Sequence, residues 1–292
     1  MSIGTRARVA HHFTVDVEEY FHSSALERLI PSARWDGLNR RAPLLVRRLL
    51  DRMDTFGVRG TFFILGWLAG REPDLVKEIA GRGHEVASHG WDHKRVTQQS
   101  AGAFRDSVRR TKHLLEDLVG QEVLGFRAPN FSIVPGKEWA LDTLLEEGYR
   151  YDSSLFPIKQ HPSYGYPEGE RDPYWIIRPP GRIAEIPPAT LRFLGTNLPA
   201  AGGAYFRLLP YSLIRGALRG SQDRGVPGTF FIHPWELDQE RPEHVVLPPL
   251  VRLRLFGGRG RVWSRLDRLF GEFHFHPISQ TLVAMESQAL VG

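Results

Sequence analysis

Hydrophobic positions along this chain follow two periods in turn. The stretch HHFTVDVE (11–18) has the short, β-branched character of a strand. Pro43 then opens LLVRRLLDRMDTF, with Leu45, Leu49, Met53 and Phe56 on one face and Gly57 as the stop, which predicts a capped helix. VRGTFFILG (58–66) reads as a strand, PDLVKEIAGRG (73–83) as a short helix opened by proline and closed by glycines, and HEVAS (84–88) as the next strand. A helix over 101–119 carries Phe104, Val108, Leu115 and Leu118 on one face; a strand at 122–126 and a helix near 138–147, ended by Gly148, follow. Beyond 156 the regularity breaks, and KQHPSYGYPEGERDPYW and RPPGR predict long loops. Regular elements return as a helix near 210–220, the strand TFFIH (229–233), a helix near 261–271 and a last strand at 272–276.

Alternation of strands and helices predicts an α/β protein built on a mostly parallel sheet or a βα-barrel. In such folds the functional side chains sit at the C-terminal ends of the strands. The first strand ends in Asp16-Val17-Glu18-Glu19. Side chains two apart share a face, so Asp16 and Glu18 face one way and Val17 and Glu19 the other. Two carboxylates on one face repel unless a cation or a proton intervenes; a solvated acidic turn is the simpler alternative.

SHGWDH (88–93) follows another strand, and its histidines, His89 and His93, reach one metal if the segment makes a helical turn. Gly90 stands where the zincin motif has glutamate, so that motif is excluded. Two histidines and a carboxylate suit zinc and also iron, cobalt or nickel. Arg127 in GFRAPNF, Asp152 in YRYDSS and His233 in TFFIHPWE occupy three further strand ends. Taken singly, Arg127 reads as a surface ion pair, Asp152 as a turn cap and His233 as a satisfied histidine. Their coincidence with the other two strand ends predicts one shared site.

Composition narrows the chemistry. The 292 residues contain no cysteine, which removes disulfides, thiolate nucleophiles and iron–sulfur clusters. A chain of this length buries roughly 75% of its unfolded surface and needs no such staples. Net charge is +5, and the arginine clusters, VRLRLFGGRGRVWSRLDR (251–268) among them, read as solvated helix faces, with anionic lipid or phosphate as the alternative. No nucleic-acid motif accompanies them, so no nucleic-acid partner is expected. The N-terminus shows no secretory leader, and no apolar run approaches the ~18 residues that span a bilayer. A cytoplasmic protein is the expectation.

The five strand-end motifs, in this order, resemble those of the polysaccharide deacetylases that share the NodB homology domain, carbohydrate esterase family 4. They are TVDVE (14–18), HGWDH (89–93), RAPNF (127–131), DSS (152–154) and FIH (231–233). The stretch 58–93 is very similar to that family's most recognisable segment. DVEEYFH, GGAYFRLLP (202–210) and HPWELD (233–238) resemble a subgroup associated with exosortase and exopolysaccharide synthesis. The resemblance implies a distorted (β/α) barrel over 10–235, with residues 236–292 as a C-terminal extension packing on it.

It also implies metal-dependent removal of the N-acetyl group from an N-acetylhexosamine in a polysaccharide, an oligosaccharide or a lipid-linked precursor. The residues carried over are Glu18, His89 and His93 as ligands of a divalent metal, zinc first and cobalt, nickel or iron next. Asp16 is carried over as general base and His233 as general acid, with Arg127 fixing the base and Asp152 holding His233. The Asn130 backbone N–H is expected at the oxyanion, with Phe131 and Trp235 as substrate contacts. The family has adjacent aspartates where this chain has Asp16 and Glu18, so exchanged roles for the two stay open. Asn130 stands where an aromatic residue is common, and Gly90 where Ser or Thr is usual. The expected partner is a carbohydrate, with peripheral contact at the inner membrane leaflet. Alternatives are hydrolysis of another C–N bond, such as a formamide, at the same site, or sugar binding without catalysis.

Overall fold

The computed structural model describes residues 9–159, 164–240 and 247–289. The N-terminal arginines, part of the loop expected after 156 and parts of the C-terminal extension lie outside the described residues. Strand β1 (His11–Val17) is buried along its whole length. It is followed by helix α1 (Ala42–Thr55), β2 (Thr61–Ile64), α2 (Gly66–Ala69), α3 (Pro73–Gly81) and β3 (Glu85–Ser88). Then come α4 (Ala101–Val119), β4 (Gly125–Phe126), α5 (Trp139–Glu146) and β5 (Tyr151–Asp152). The hairpin β6 (Tyr174–Arg178) and β7 (Gly181–Glu185) and a second hairpin, β8 (Thr190–Phe193) and β9 (Thr196–Pro199), occupy the stretch predicted as loops. The chain ends in α6 (Gly203–Leu208), α7 (Tyr211–Asp223), β10 (Thr229–Ile232), α8 (Pro249–Phe256), α9 (Val262–Glu272), β11 (Phe275–His276) and α10 (Ile278–Ala289).

The large sheet runs β10-β1-β2-β3-β4-β5-β7-β6, with β11 also paired to β1. All its pairings are parallel except β6 with β7. After leaving β5, the chain beyond β7 reaches β10 through single bridges, Pro188 to Thr229 and Gly202 to Phe231. The ring of strands therefore closes irregularly, as a distorted barrel. A parallel sheet needs both faces covered, which explains strands that are continuously apolar, such as the fully buried TFFI of β2 and of β10. Each large side chain buried there, Phe62 and Phe230 for example, contributes about 1.5–3 kcal/mol.

Helix α10 closes one end of the barrel. Its Ile278 and Leu282 join Phe63, Ala87, Tyr151 and Ala184 in a separate apolar cluster. Thr281 Oγ1 lies 2.7 Å from His12 Nε2, and Thr61 Oγ1 accepts from the Ile278 N–H at 2.9 Å. These anchors stand at the start of β1 and β2, which leaves the C-terminal strand ends open to solvent at the opposite end.

Candidate active site

The strand ends bring the expected side chains together. Asp16 and Glu18, at the C-terminal end of β1, are each 2% exposed. Their environments differ. Asp16 Oδ1 accepts from Arg127 Nη1 at 2.7 Å. The Arg127 guanidinium, fully buried, also donates to Thr14 Oγ1 at 2.7 Å, Ser153 O at 3.2 Å and Ser153 Oγ at 2.8 Å. It lies 4.1 Å from the Phe63 ring centre, so packing and four hydrogen bonds fix it against the base of the site. Glu18 instead turns to the other wall, accepting from Trp235 Nε1 at 3.0 Å and lying 2.6 Å from His93 Nε2 through Oε2.

The histidine pair does not use the helical turn expected for it. His89 leaves β3 directly, and the loop bends back through Gly90 at φ 75° and His93 at φ 58°. The Gly66 and Trp67 N–H groups at the start of α2 donate to Gly90 O at 2.9 Å and Trp91 O at 2.8 Å, which pins the bend. A left-handed residue such as His93 costs about 1–3 kcal/mol and persists only where its surroundings over-determine it. His89 Nδ1 lies 2.8 Å from Arg127 O, which places its proton there and leaves the Nε2 lone pair for the site.

One ligand atom each from Glu18, His89 and His93 falls within 4.8 Å of the other two, and all three residues are buried. Burial pushes His89 down to about 4, so its imidazole is neutral, the ligand form, at pH 7. Burial alone would raise Glu18, but the His93 and His233 imidazoles outweigh it and hold the carboxyl well below its usual range. Apart from the His93 imidazole at 2.6 Å, Glu18 Oε2 has no hydrogen-bond partner among the described residues. An ionised buried oxygen, a free imidazole lone pair and a second imidazole fit a divalent cation.

His233, at the end of β10, faces this triad. Its Nε2 lies 3.8 Å from both Asp16 Oδ2 and Glu18 Oε1, and its ring stacks on Trp235 at 5.2 Å. These groups line one cleft of about 620 Å³. Asn130 and Phe131 form part of its wall at φ 55° and 51°, two successive left-handed residues without glycine. Phe131 packs edge-on against Phe231, with ring centres 4.9 Å apart.

Residues 36–144 match the family model described as polysaccharide deacetylase, and residues 153–283 match a domain of unknown function, DUF3473. The chain thus carries a region that matches the polysaccharide deacetylase family, followed by the region of unknown function. Over 121 residues it is 28% identical to the peptidoglycan-N-acetylglucosamine deacetylase of Bacillus cereus, covering 36% of this chain and 43% of that protein. It is 30% identical over 121 residues to the peptidoglycan-N-acetylglucosamine deacetylase PgdA of Listeria monocytogenes, covering 38% and 25%. It thus spans less than half of the length of either relative. The solved structure of a candidate polysaccharide deacetylase from Mycobacterium smegmatis has the same fold, with TM-score 0.65, 23% identity and coverage of 97% and 95%. The second matched region begins at 153 and so takes in β7 and β10 as well as the chain after 236.

One role expected from the resemblance is corrected by the geometry. Asp152 does not hold His233. Its carboxyl accepts from Ser154 Oγ at 2.6 Å and from Ser154 N at 3.1 Å, and it lies close to the buried carboxyl of Glu185. Burial raises both carboxyls, and their mutual repulsion adds to it for Glu185. Ser154 Oγ in turn accepts from the Ala128 N–H at 2.7 Å. Asp152 thus shapes the turn whose Ser153 receives Arg127. The partner of His233 is Glu236, whose Oε2 lies 2.9 Å from Nδ1 and accepts from the His233 backbone N–H at 3.1 Å. The i, i+3 spacing in HPWE is a capping box in miniature and was the available sequence signal.

Two further residues near the site had only faint signals. His22, buried behind the metal-type triad, stacks on His93 at 6.3 Å and takes the Glu19 N–H on Nδ1 at 3.0 Å. Glu19 points away from the cleft, as strand alternation requires, and its Oε1 accepts from the Ala42 N–H at 2.8 Å at the start of α1.

Proposed function

We propose that this protein is a metal-dependent hydrolase that removes the N-acetyl group of an N-acetylhexosamine, releasing acetate. The observation that carries this reading is the convergence, in one cleft, of the Glu18–His89–His93 donor set with two separately oriented acid–base groups. Glu18, His89 and His93 would hold the cation, zinc first and cobalt, nickel or iron compatible with the same donors. When bound, it supplies Lewis acidity, making water more acidic and the amide carbonyl more electrophilic.

The remaining work falls to the chain's own side chains. Asp16 has one oxygen tied to Arg127 and the other turned toward His233 across the cleft, so Oδ2 is free to accept a proton from the attacking water. Arg127 holds that carboxylate in place. Burial would lower His233, but the charges of Glu18, Glu236 and Asp16 raise it to about 9. It is therefore protonated at neutral pH and can pass the Nε2 proton to the departing amine. Phe131 and Trp235 supply flat apolar walls of the kind that suit a sugar face, and the Asn130 backbone N–H is the group assigned to the oxyanion.

The substrates proposed are N-acetylated polysaccharides or oligosaccharides and cytoplasmic lipid-linked precursors of exopolysaccharide. Peripheral contact with an anionic leaflet is supported by α8, where Leu250 (81% exposed) and Leu253 (54%) flank the exposed Arg252. No helix among the described residues is long and apolar enough to cross a membrane. The test is acetate release from N-acetylglucosamine oligomers by metal-reconstituted protein. Equal release by wild type and a His89→Ala/His93→Ala double variant would overturn the metal assignment. Release of formate from N-formyl sugars without acetate release would move the reading to another C–N bond.

A further inference from the structure

We propose that Arg207, within the matched region of unknown function, is the positioning residue for the acid arm of the site. This deepens the deacetylase reading and rests on it. The arm is a chain of three side chains. His233 Nδ1 meets Glu236 Oε2 at 2.9 Å, and Glu236 Oε1 accepts from Arg207 Nε at 2.5 Å. The Arg207 and Glu236 side chains are 1% and 0% exposed.

Two physical requirements make Arg207 more than a packing residue. A buried carboxylate without a cation takes up a proton, and a neutral carboxyl loses the charge-assisted hold that an ionised one has on the His233 ring. Burial does push Glu236 upward, but the Arg207 and His233 charges outweigh it and hold it down at about 2. The second requirement is direction. The guanidinium spends its fork on three acceptors: Glu236 by Nε, Gly257 O by Nη1 at 2.5 Å and Arg254 O by Nη2 at 2.6 Å. A lysine could carry the charge but could not serve three fixed acceptors in that plane.

The two carbonyls belong to the end of α8, so the C-terminal segment fixes the guanidinium, which fixes Glu236, which fixes His233. The segment is built for close approach. Gly258 has φ 73°, and a Cβ there would lie 2.4 Å from Arg207 O. Arg265 Nη1 holds the other side of the same backbone through Phe206 O and Leu209 O. In the reaction, the C–N bond breaks as the His233 Nε2 proton passes to nitrogen. His233 is then recharged from solvent, and no proton moves along the arm.

The experiment compares two substrates. An N-acetylglucosamine oligomer has an amine leaving group that must be protonated; 4-nitrophenyl acetate has a phenolate that leaves without a proton. For Arg207→Met and Glu236→Gln we expect kcat on the amide to fall about 10- to 100-fold, the usual cost of losing a group that orients a functional histidine. KM, metal content and aryl-ester turnover should stay within about twofold of wild type, the margin that separates them from a loss on that scale. Because Arg207→Met strands a buried carboxylate, the double variant Arg207→Met/Glu236→Gln serves as the charge-balanced control and should show the same selective loss. Equal loss on both substrates, or no loss on the amide, overturns the proposal. A second readout does not depend on turnover: the slowly exchanging His233 Nδ1–H proton in the NMR spectrum should disappear in Arg207→Met, and its persistence overturns the proposal. If wild type releases no acetate from any N-acetyl sugar, the deacetylase reading fails by itself, and the NMR result still decides the arm.

Discussion

Exchanging the carboxylates one at a time for their amides separates the two roles that β1 offers. In Asp16→Asn the amide oxygen can still accept from Arg127, and Arg127 keeps its bonds to Thr14 Oγ1, Ser153 O and Ser153 Oγ. The folding cost is the difference between a charge-assisted and a neutral hydrogen bond, about 1–2 kcal/mol. That corresponds to a fall in Tm of about 2–8 °C in a chain of this size. Asp16 is outside the triad whose ligand atoms lie within 4.8 Å of one another, so the variant should keep its metal. The loss should fall on rate, about 10²–10⁴ in kcat for a missing general base, equivalent to about 3–5 kcal/mol of barrier. Glu18→Gln should behave in the opposite order, losing metal first and activity as a consequence. Elemental analysis after dialysis, thermal unfolding and initial rates of acetate release, on both variants, give the three readouts. Metal lost from Asp16→Asn and kept by Glu18→Gln would exchange the roles. An Asp16→Asn turnover within tenfold of wild type would remove Asp16 from proton transfer altogether.

Other predictions test the surroundings. Asp152→Asn should loosen the turn at 152–155, costing about 1–3 kcal/mol in urea unfolding, and should lower amide and aryl-ester turnover in the same ratio; a selective amide loss would restore Asp152 as the partner of His233. Chelation should abolish acetate release and lower Tm, by about 2.7 kcal/mol of lost stability where the metal had been at 100 times its Kd; full activity in the chelated protein contradicts the site. His84 titrates at about 4 in the fold, through burial and then the Arg59 charge, against 6.5 when free. The unfolded chain gains that proton first, so His84 stabilises the fold above pH 6.5 and loses its contribution as pH falls toward 4. Relative to His84→Asn, wild type should lose up to ~1.4 kcal/mol per pH unit across that window, and parallel stability curves would contradict it. Leu250→Ser/Leu253→Ser should reduce sedimentation with phosphatidylglycerol vesicles, and unchanged binding would remove α8 from the contact.

What the chain discloses by itself follows from how local each cause is. The helices α1, α3 and α4 were legible because proline, glycine and an apolar stripe act within one element; Ser100 capping the Ala103 N–H is the same logic at closer range. The two hairpins after 156 were not, because β6 is only partly buried and β8 and β9 are half exposed, so no alternation marks them. Helix α10 was missed because its plugging face is narrow, Ile278, Thr281 and Leu282, and makes sense only against the interior of a barrel already closed. The site divides the same way. Strand alternation puts Asp16 and Glu18 on one side, but alternation treats them as equals. The asymmetry comes from Arg127, 111 positions away in sequence, which crosses the barrel to take Asp16 and leaves Glu18 to the histidines. His233 poses the same problem at its other nitrogen. Motif order pointed to Asp152, whereas Glu236 lies three residues along, already within reach of the backbone it caps. Long-range order therefore decides which carboxylate can bind a cation, and a local turn decides which one holds the acid.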